Sequence, residues 1–212
     1  MPSADQILNG LREITNTWQA VAIFWHVYFG ALILAFVAGV RPSKWIAGLL
    51  LGFPLLSVSA VAWLSSNPFN GIIFAALGIL FLLVAVKLSR DDIHAAFPWY
   101  FIPGAFLFGF GWIYPHFLEA PIYIAYLYST PTGIIPCPTL SIVIGSLLML
   151  DGLGSRKLCI ILGVAGLYYG ATGFAQLHVL IDSVLVIGAI VIVICAFMAK
   201  WAAPANNQIG ET

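Results

Sequence analysis

The feature that most constrains this chain is a series of long apolar runs with basic residues on alternate connections. Of the eight Lys and Arg residues, seven lie on every second connection or directly after the last run: Arg41, Lys44, Lys87, Arg90, Arg156, Lys157 and Lys200. Only Arg12 lies on the opposite side. Because cytoplasmic connections are enriched in Lys and Arg, this pattern predicts seven transmembrane helices, with the N-terminus outside and the C-terminus in the cytoplasm.

Composition excludes an ordinary soluble domain. Hydrophobic residues make up 62% of the chain and charged residues 8%, and the mean hydropathy is +1.04. Seven spans of about 20 residues use most of the 212 positions, which leaves no room for a separate aqueous domain. A formal net charge of zero argues against nucleic acid as a partner. The lipid bilayer is therefore the expected environment, and we expect a multi-pass protein of a bacterial inner membrane.

Apolar length and turn residues place the predicted spans. The first five cover residues 18–40, 45–65, 71–88, 97–117 and 131–150, and the last two lie within residues 158–200. As one helix that last stretch would be about 65 Å long, at 1.5 Å per residue. The hydrocarbon core is only about 30 Å thick, so the chain must turn back, and Gly173 is the expected position.

The whole chain is therefore predicted to be an all-α membrane helix bundle. Residues 1–17 are polar and carry apolar side chains at helical spacing, which predicts an interfacial helix on the outer surface. Residues 18–203 form the seven-helix transmembrane domain, and residues 204–212 are a polar tail.

The densest local motif is residues 133–140, Gly-Ile-Ile-Pro-Cys-Pro-Thr-Leu, near the outer end of the fifth predicted span. Pro136 and Pro138 remove two backbone donors and disfavour helical geometry in the residue before each ring. The pattern predicts a kinked or unwound helix. Carbonyl oxygens left free there must bond neighbours, water or a ligand, so the motif is either an architectural kink or part of a binding site. Cys137 alone is also compatible with a small buried apolar residue.

Three short motifs occur in order over residues 60–150: Asn67-Pro68, Tyr114-Pro115 and Pro136-Cys137-Pro138-Thr139. On these motifs the chain resembles the uncharacterised integral-membrane family catalogued as domain of unknown function six-zero-six-four. His116 departs from the family's pattern, and the N-terminal segment and last two spans match only in hydropathy. The resemblance implies a membrane-embedded fold and supplies no catalytic residue.

Polar side chains that can bind ligands collect in the outer half of the predicted bundle. They are His26 in the first span, His116 and Glu119 after the fourth, Cys137 in the fifth, and His178 and Asp182 between the last two. The sequence predicts that they line one outward-opening cavity, with Glu119 and Asp182 at its rim. Zinc or copper would choose such imidazole, thiolate and carboxylate ligands. The alternative is that polar residues lie at helix ends because water is there. His26 lies within a span, where an ionisable residue indicates function.

The spacing of two pairs adds to this prediction. His116 and Glu119 are three residues apart, and His178 and Asp182 are four apart, so each pair would face one direction if its segment is helical.

Several chemistries are disfavoured. A retinal pigment needs a lysine in the middle of a span, and Lys200 lies at the inner end of the seventh. A membrane thiol oxidoreductase needs two cysteines at one depth, and it is disfavoured because Cys159 and Cys195 lie toward the inner face while Cys137 is near the outer one. Covalent haem needs a C-x-x-C-H motif, which this chain lacks. Noncovalent haem, held by His26 with His116 or His178, stays open.

Three classes of function therefore remain. The first is binding or transport of a small solute or metal ion through an outward-facing polar pocket. The second is a non-catalytic membrane subunit or scaffold that serves a membrane-protein partner or a second copy of the chain. The third is an outer-face membrane enzyme with a metal or haem. The sequence assigns no catalytic residue, cofactor or metal, so a non-enzymatic role is favoured.

Overall fold

The computed structural model describes residues 3–119 and 122–198, and within them the chain is helical. Its eight α-helices are α1 (Ala4–Thr17), α2 (Gln19–Val37), α3 (Lys44–Leu64), α4 (Pro68–Ala85), α5 (Pro98–Trp112), α6 (Pro136–Met149), α7 (Arg156–Ala171) and α8 (Ser183–Met198). The described ranges contain no β-strand, only an isolated bridge between Ser43 and Asp92. The all-α prediction is confirmed. Lys200 and the predicted tail lie outside the described residues.

Five helical segments are long and apolar enough to cross a membrane: Gln19–Val37, Lys44–Leu64, Pro68–Ala85, Arg156–Gln176 and Leu180–Met198. Large apolar side chains on the outside of the bundle remain exposed, among them Val37 at 77% and Trp99 at 76%. Such a surface suits lipid rather than water. The chain therefore has the character of a multi-pass membrane protein. Helices α5 and α6, with 15 and 14 residues, are shorter than a full span, so the count of seven stays a prediction.

Helix α6 forms the centre of the bundle. Twelve of its 14 residues are buried, and it contacts α3, α5, α7 and α8. Its closest neighbour is α5, where Gly104 faces Gly145. A Cβ atom on Gly104 would lie 2.7 Å from the carbonyl oxygen of Gly145, so these two backbones touch without side chains between them. Small residues permit this close approach in membrane helices.

The prolines of the residue 133–140 motif begin α6, and the predicted span is interrupted at Pro136 because the residues before it are not helical. Pro136 and Pro138 lie in the first turn, where a missing N–H costs no helical hydrogen bond. Ile135, before the first ring, is extended, whereas Cys137, before the second, is helical. Thr139 stabilises this start, because its hydroxyl accepts from the Gly133 N–H at 2.8 Å and donates to the Ile135 carbonyl at 2.7 Å.

Helices α7 and α8 form a close antiparallel pair. Four glycines of α7 and the turn after it face α8: Gly163, Gly166, Gly170 and Gly173. The predicted turn at Gly173 agrees with the structure. Residues Thr172–Gln176 form a π-helical turn closed by the Leu177 N–H on the Thr172 carbonyl at 3.1 Å, and a 3-10 turn, Leu180–Asp182, leads into α8.

Three connections meet at one end of the bundle. The Lys44 N–H donates to the Asp91 carbonyl at 2.9 Å, which joins the α2–α3 and α4–α5 connections. The Ala96 N–H donates to the Met149 carbonyl at 2.8 Å, which joins the α4–α5 connection to the end of α6. At the opposite end Arg12 forms an ion pair of 3.5 Å with Glu119. The described basic residues other than Arg12 therefore share one end.

Candidate functional site

A buried carboxylate lies where α5, α6 and the α7–α8 turn meet, at the end of the bundle opposite the basic connections. Asp182 is only 2% exposed. The Tyr114 hydroxyl donates to its Oδ1 at 2.7 Å, and the Cys137 thiol donates to its Oδ2 at 3.3 Å. We call these three residues the Asp182 cluster. Each carboxylate oxygen thus has one protein donor, and both donors are neutral.

Local backbone geometry positions Asp182. The residue is the last of the 3-10 turn before α8, and its N–H donates to the Val179 carbonyl at 3.0 Å. The Val179 N–H in turn donates to the Gly173 carbonyl at 2.9 Å. The carboxylate therefore packs directly on Gly173, in the space that a Cβ atom there would occupy. Only glycine fits at this position without moving the carboxylate.

The other two members of the Asp182 cluster are Tyr114, after the end of α5, and Cys137, at the start of α6. Tyr114 is fully buried, in the connection two residues beyond the end of α5. Cys137 is partly buried in the first turn of α6, and the Ser141 hydroxyl donates to its carbonyl at 2.9 Å. Because α6 begins at Pro136, Cys137 is held in the first helical turn, where its thiol reaches Asp182.

The hydrogen bonds from Tyr114 and Cys137 hold the carboxylate in place but do not neutralise its charge.

None of the ion pairs among the described residues includes Asp182, since these pairs are Arg12 with Glu119 and His94 with Asp151. A buried carboxylate without a positive partner is costly, so it either takes a proton or binds a cation. Within a membrane protein such a group marks a functional site by default. The Asp182 cluster can hold a proton or a small cation next to two neutral donors.

His26 lies in a separate polar cluster. It is 3% exposed, and its Nδ1 lies 2.8 Å from the carbonyl oxygen of Ala22. Its Nε2 lies 3.0 Å from the Trp112 carbonyl and 3.1 Å from the Thr130 hydroxyl, which itself donates to Trp112. The imidazole thus ties α2 to the end of α5 and to the outer connection. A neutral ring carries one N–H and can donate to only one of the two carbonyls.

The remaining candidates are less buried than His26 and Asp182. His116 is partly buried, with its ring 4.3 Å from that of Phe117 between centroids. Burial, and secondarily the Arg12 charge, lower the pKa of His116. Glu119 is exposed and pairs with Arg12. His178 is exposed.

The two spacing pairs do not lie on regular helices. Phe117 and His178 have φ angles of +73° and +57°, in the left-handed region, so the condition for each pair to face one direction is not met. Of the six sequence candidates, Cys137 and Asp182 are joined by a hydrogen bond. His26 bonds to the Trp112 carbonyl instead of to another candidate.

Sequence reasoning missed Tyr114 and Thr130 as site residues. Tyr114 was noted only for the motif Tyr114-Pro115, and its role depends on a contact with Asp182, 68 positions away. Thr130 lies in the outer connection and reaches His26 across 104 positions. The sequence signal for both was a hydroxyl near a predicted helix end, which is too common to identify a site.

The described residues contain no group of three or more His, Cys, Asp and Glu side chains placed to hold a metal ion. Cys137 and Asp182 supply two metal ligands, whereas zinc sites usually have at least three from the protein. The cluster therefore suits a proton or a weakly coordinated cation better than a tightly held transition metal.

We compared the chain with protein-family models, with curated proteins and with solved structures, and none of the three comparisons gives a match.

Proposed function

We propose that this protein is a seven-span inner-membrane protein that binds a small cation or polar solute in its outer half and transports it. Helices α2–α8 are the seven spans, the N-terminus is outside and the C-terminus is cytoplasmic. The Asp182 cluster is the binding site, and the carboxylate of Asp182 is its charged group. Membership of the family catalogued as domain of unknown function six-zero-six-four is part of the proposal and adds no activity to it.

The topology is supported by the distribution of charge in space. The connections that carry Arg41, Lys44, Arg90 and Arg156 lie at one end of the bundle, and Arg12 lies at the other with Glu119. Positive charge on one side is what the cytoplasmic face of a membrane protein requires. The short helix α6 is buried by its neighbours, so it need not match the full hydrocarbon thickness by itself.

The observation that carries the binding proposal is the buried Asp182 carboxylate with two neutral donors. Burying a carboxylate costs several kcal/mol unless it is paired, so an unpaired one inside a membrane bundle indicates a functional site. A proton or cation from the outer side would remove this cost, because the cluster lies at the outer end of α6 and α8.

The first test is purification in mild detergent, followed by metal analysis and an absorption spectrum. Stoichiometric transition metal or a Soret band would replace the proposal with a metal or haem enzyme. A stable co-purifying protein without cation binding would indicate a membrane subunit.

The second test measures the thermal unfolding midpoint against added Na⁺, K⁺, Ca²⁺ and Zn²⁺, since a ligand that binds the native state stabilises it by mass action. The wild type is compared with Asp182→Asn and with Asp91→Asn, the same change on an exposed inner connection. We expect one cation to raise the midpoint of the wild type and of Asp91→Asn but not of Asp182→Asn. Equal shifts in all three proteins would contradict the proposal. If Asp182→Asn does not fold, Asp182→Glu, which keeps the charge but moves the carboxylate off Gly173, takes its place.

Uptake of the cation identified in this way into proteoliposomes then distinguishes transport from binding alone. Binding without uptake would limit the function to a receptor or subunit role.

A further inference from the structure

The α7–α8 pair has a defined antiparallel register. A Cβ atom on Gly166 would lie 2.9 Å from the Cβ of Ala189, and one on Gly170 would lie 2.8 Å from a methyl group of Val186. In an antiparallel pair the numbers of facing residues have a constant sum, and both contacts give a sum near 355. Continued toward the inner end, this register places Cys159 opposite Cys195, whose sum is 354.

The side chains agree with this register. The Cys159 and Cys195 side chains are close enough to interact electrostatically with each other across the two helices. Both residues are fully buried, each at 0% exposure. The glycines of α7 let the two backbones approach closely, beginning one turn from Cys159 at Gly163.

The pair lies close to the inner surface of the bundle. Cys159 is in the first turn of α7, and Cys195 is in the last described turn of α8. The Arg156 guanidinium lies 4.2 Å from the centre of the Phe197 ring, so the same two helices are in contact beyond the cysteines. The sulfur atoms are excluded from water, because both cysteines are buried within the bundle.

We propose that Cys159 and Cys195 are a reversible redox site, a dithiol that closes to a disulfide and locks α7 to α8. A disulfide needs a short distance between the two backbones. The register of these close-packed helices places the two cysteines opposite each other, which is the arrangement that favours such a bond. This inference does not depend on the proposed function, because it uses neither Asp182 nor any transported solute.

The reaction is a two-electron oxidation. Both S–H bonds break, one S–S bond forms, and the two electrons and two protons pass to the oxidant. We assign the oxidant to the class of small, membrane-soluble two-electron acceptors, such as a quinone that leaves as the quinol, because the thiols are excluded from water. A dithiol reductant reverses the step by exchange.

The experiment uses the full chain in membrane vesicles, with Cys137→Ser as the background so that Cys159 and Cys195 are the only two cysteines. Vesicles are treated with diamide, a membrane-permeant two-electron oxidant, then denatured and labelled with a maleimide polymer that adds a fixed mass to each free thiol. We expect the oxidised protein to lose both maleimide additions together while it stays a monomer. Dithiothreitol should restore both additions. Mass spectrometry of the digest should show the Cys159–Cys195 linkage.

Two controls make the result specific to register. In Cys195→Ser the single remaining thiol should keep its maleimide addition after diamide. In Cys159→Ser with Ile160→Cys, the thiol moves by about 100° around α7, since an α-helix turns 100° per residue, and both additions should persist. Two additions after diamide in the parent protein, a disulfide between two chains, or equal closure in the displaced variant would each overturn the proposal.

Discussion

The Tyr28 hydroxyl donates a hydrogen bond of 2.9 Å to the Leu50 carbonyl, the acceptor that Pro54 leaves without its helical donor. Pro54 lies inside α3 and has no N–H, so the carbonyl four residues earlier would be unsatisfied in an apolar environment. A side chain from α2 thus repairs the backbone of α3. The missing helical hydrogen bond in α3 thus provides the acceptor for a hydrogen bond between the two helices.

This relationship predicts a thermodynamic coupling. Tyr28→Phe removes the donor and should lower the free energy of unfolding by about 1–3 kcal/mol, the cost of an unsatisfied buried acceptor. In a Pro54→Ala background the backbone regains an N–H that can donate to the Leu50 carbonyl, so the same substitution should cost clearly less. Denaturation in detergent of all four members of the cycle measures the difference. Equal costs in both backgrounds would show that the Tyr28 bond is unrelated to the proline.

Thr139 should stabilise the start of α6. Thr139→Val keeps the shape but leaves the Gly133 N–H without its acceptor, so we expect a loss of about 1–3 kcal/mol in the free energy of unfolding. Ser146→Ala is the matched control, because the Ser146 hydroxyl only donates to the Ile142 carbonyl within the same helix. A similar loss in both variants would mean that the Thr139 bond to Gly133 contributes little.

Gly104→Ala should separate α5 from α6. The new Cβ would meet the backbone oxygen of Gly145 at 2.7 Å, and no side-chain rotation relieves a contact with backbone. Overpacking of this kind costs about 1–3 kcal/mol or more. Gly109→Ala on the same helix is the control, because an added Cβ there meets nothing within 4 Å. Thermal unfolding midpoints of the two variants should differ clearly, and equal midpoints would contradict the observed helix approach.

Stability should depend on pH through His116, which lies beyond the end of α5. Its pKa in the folded protein is lowered, chiefly by burial and secondarily by the Arg12 charge, so folding favours the neutral ring. Above the unfolded pKa of about 6.5 the residue therefore makes no pH-dependent difference. As the pH falls below that value, stability should decline, and the decline should end below the folded pKa.

Unfolding midpoints of the wild type and of His116→Gln between pH 8 and pH 5 measure this contribution. The acid-side decline should be smaller in the variant. A decline of equal size would assign it to other groups, and an increase in wild-type stability at low pH would contradict the direction of the pKa shift.

Hydrophobic length and turn residues predicted most of the helices. The structure agrees on the first three apolar runs and on the turn at Gly173 within a few residues, because these depend on local composition. The largest deviations are around the outer connection, where α5 ends at Trp112 and α6 begins at Pro136. Apolar and aromatic residues continue past both points, and hydropathy alone cannot distinguish a packed connection from a span.

The candidate site was only partly predictable. Cys137 and Asp182 were named from residue type and depth, yet their contact depends on how α6 and α8 pack. His26 was recognised because an ionisable residue within a span is unusual, but its acceptors are backbone carbonyls, which carry no sequence signature. Tertiary contacts between distant positions require the fold, and a single sequence does not specify them.

The position of the Asp182 carboxylate depends on the geometry of the π-helical turn Thr172–Gln176. Its hydrogen bond spans five residues rather than four, so it holds one more residue than an α-helical turn would. If the turn tightened to α-helical geometry, the following chain would rotate by about 100° relative to α7. Gly173 would then no longer pack against Asp182. The carboxylate would also lose its hydrogen bonds from Tyr114 and Cys137. The extra residue of this turn is therefore what keeps the Asp182 carboxylate against Gly173 and within reach of its two donors.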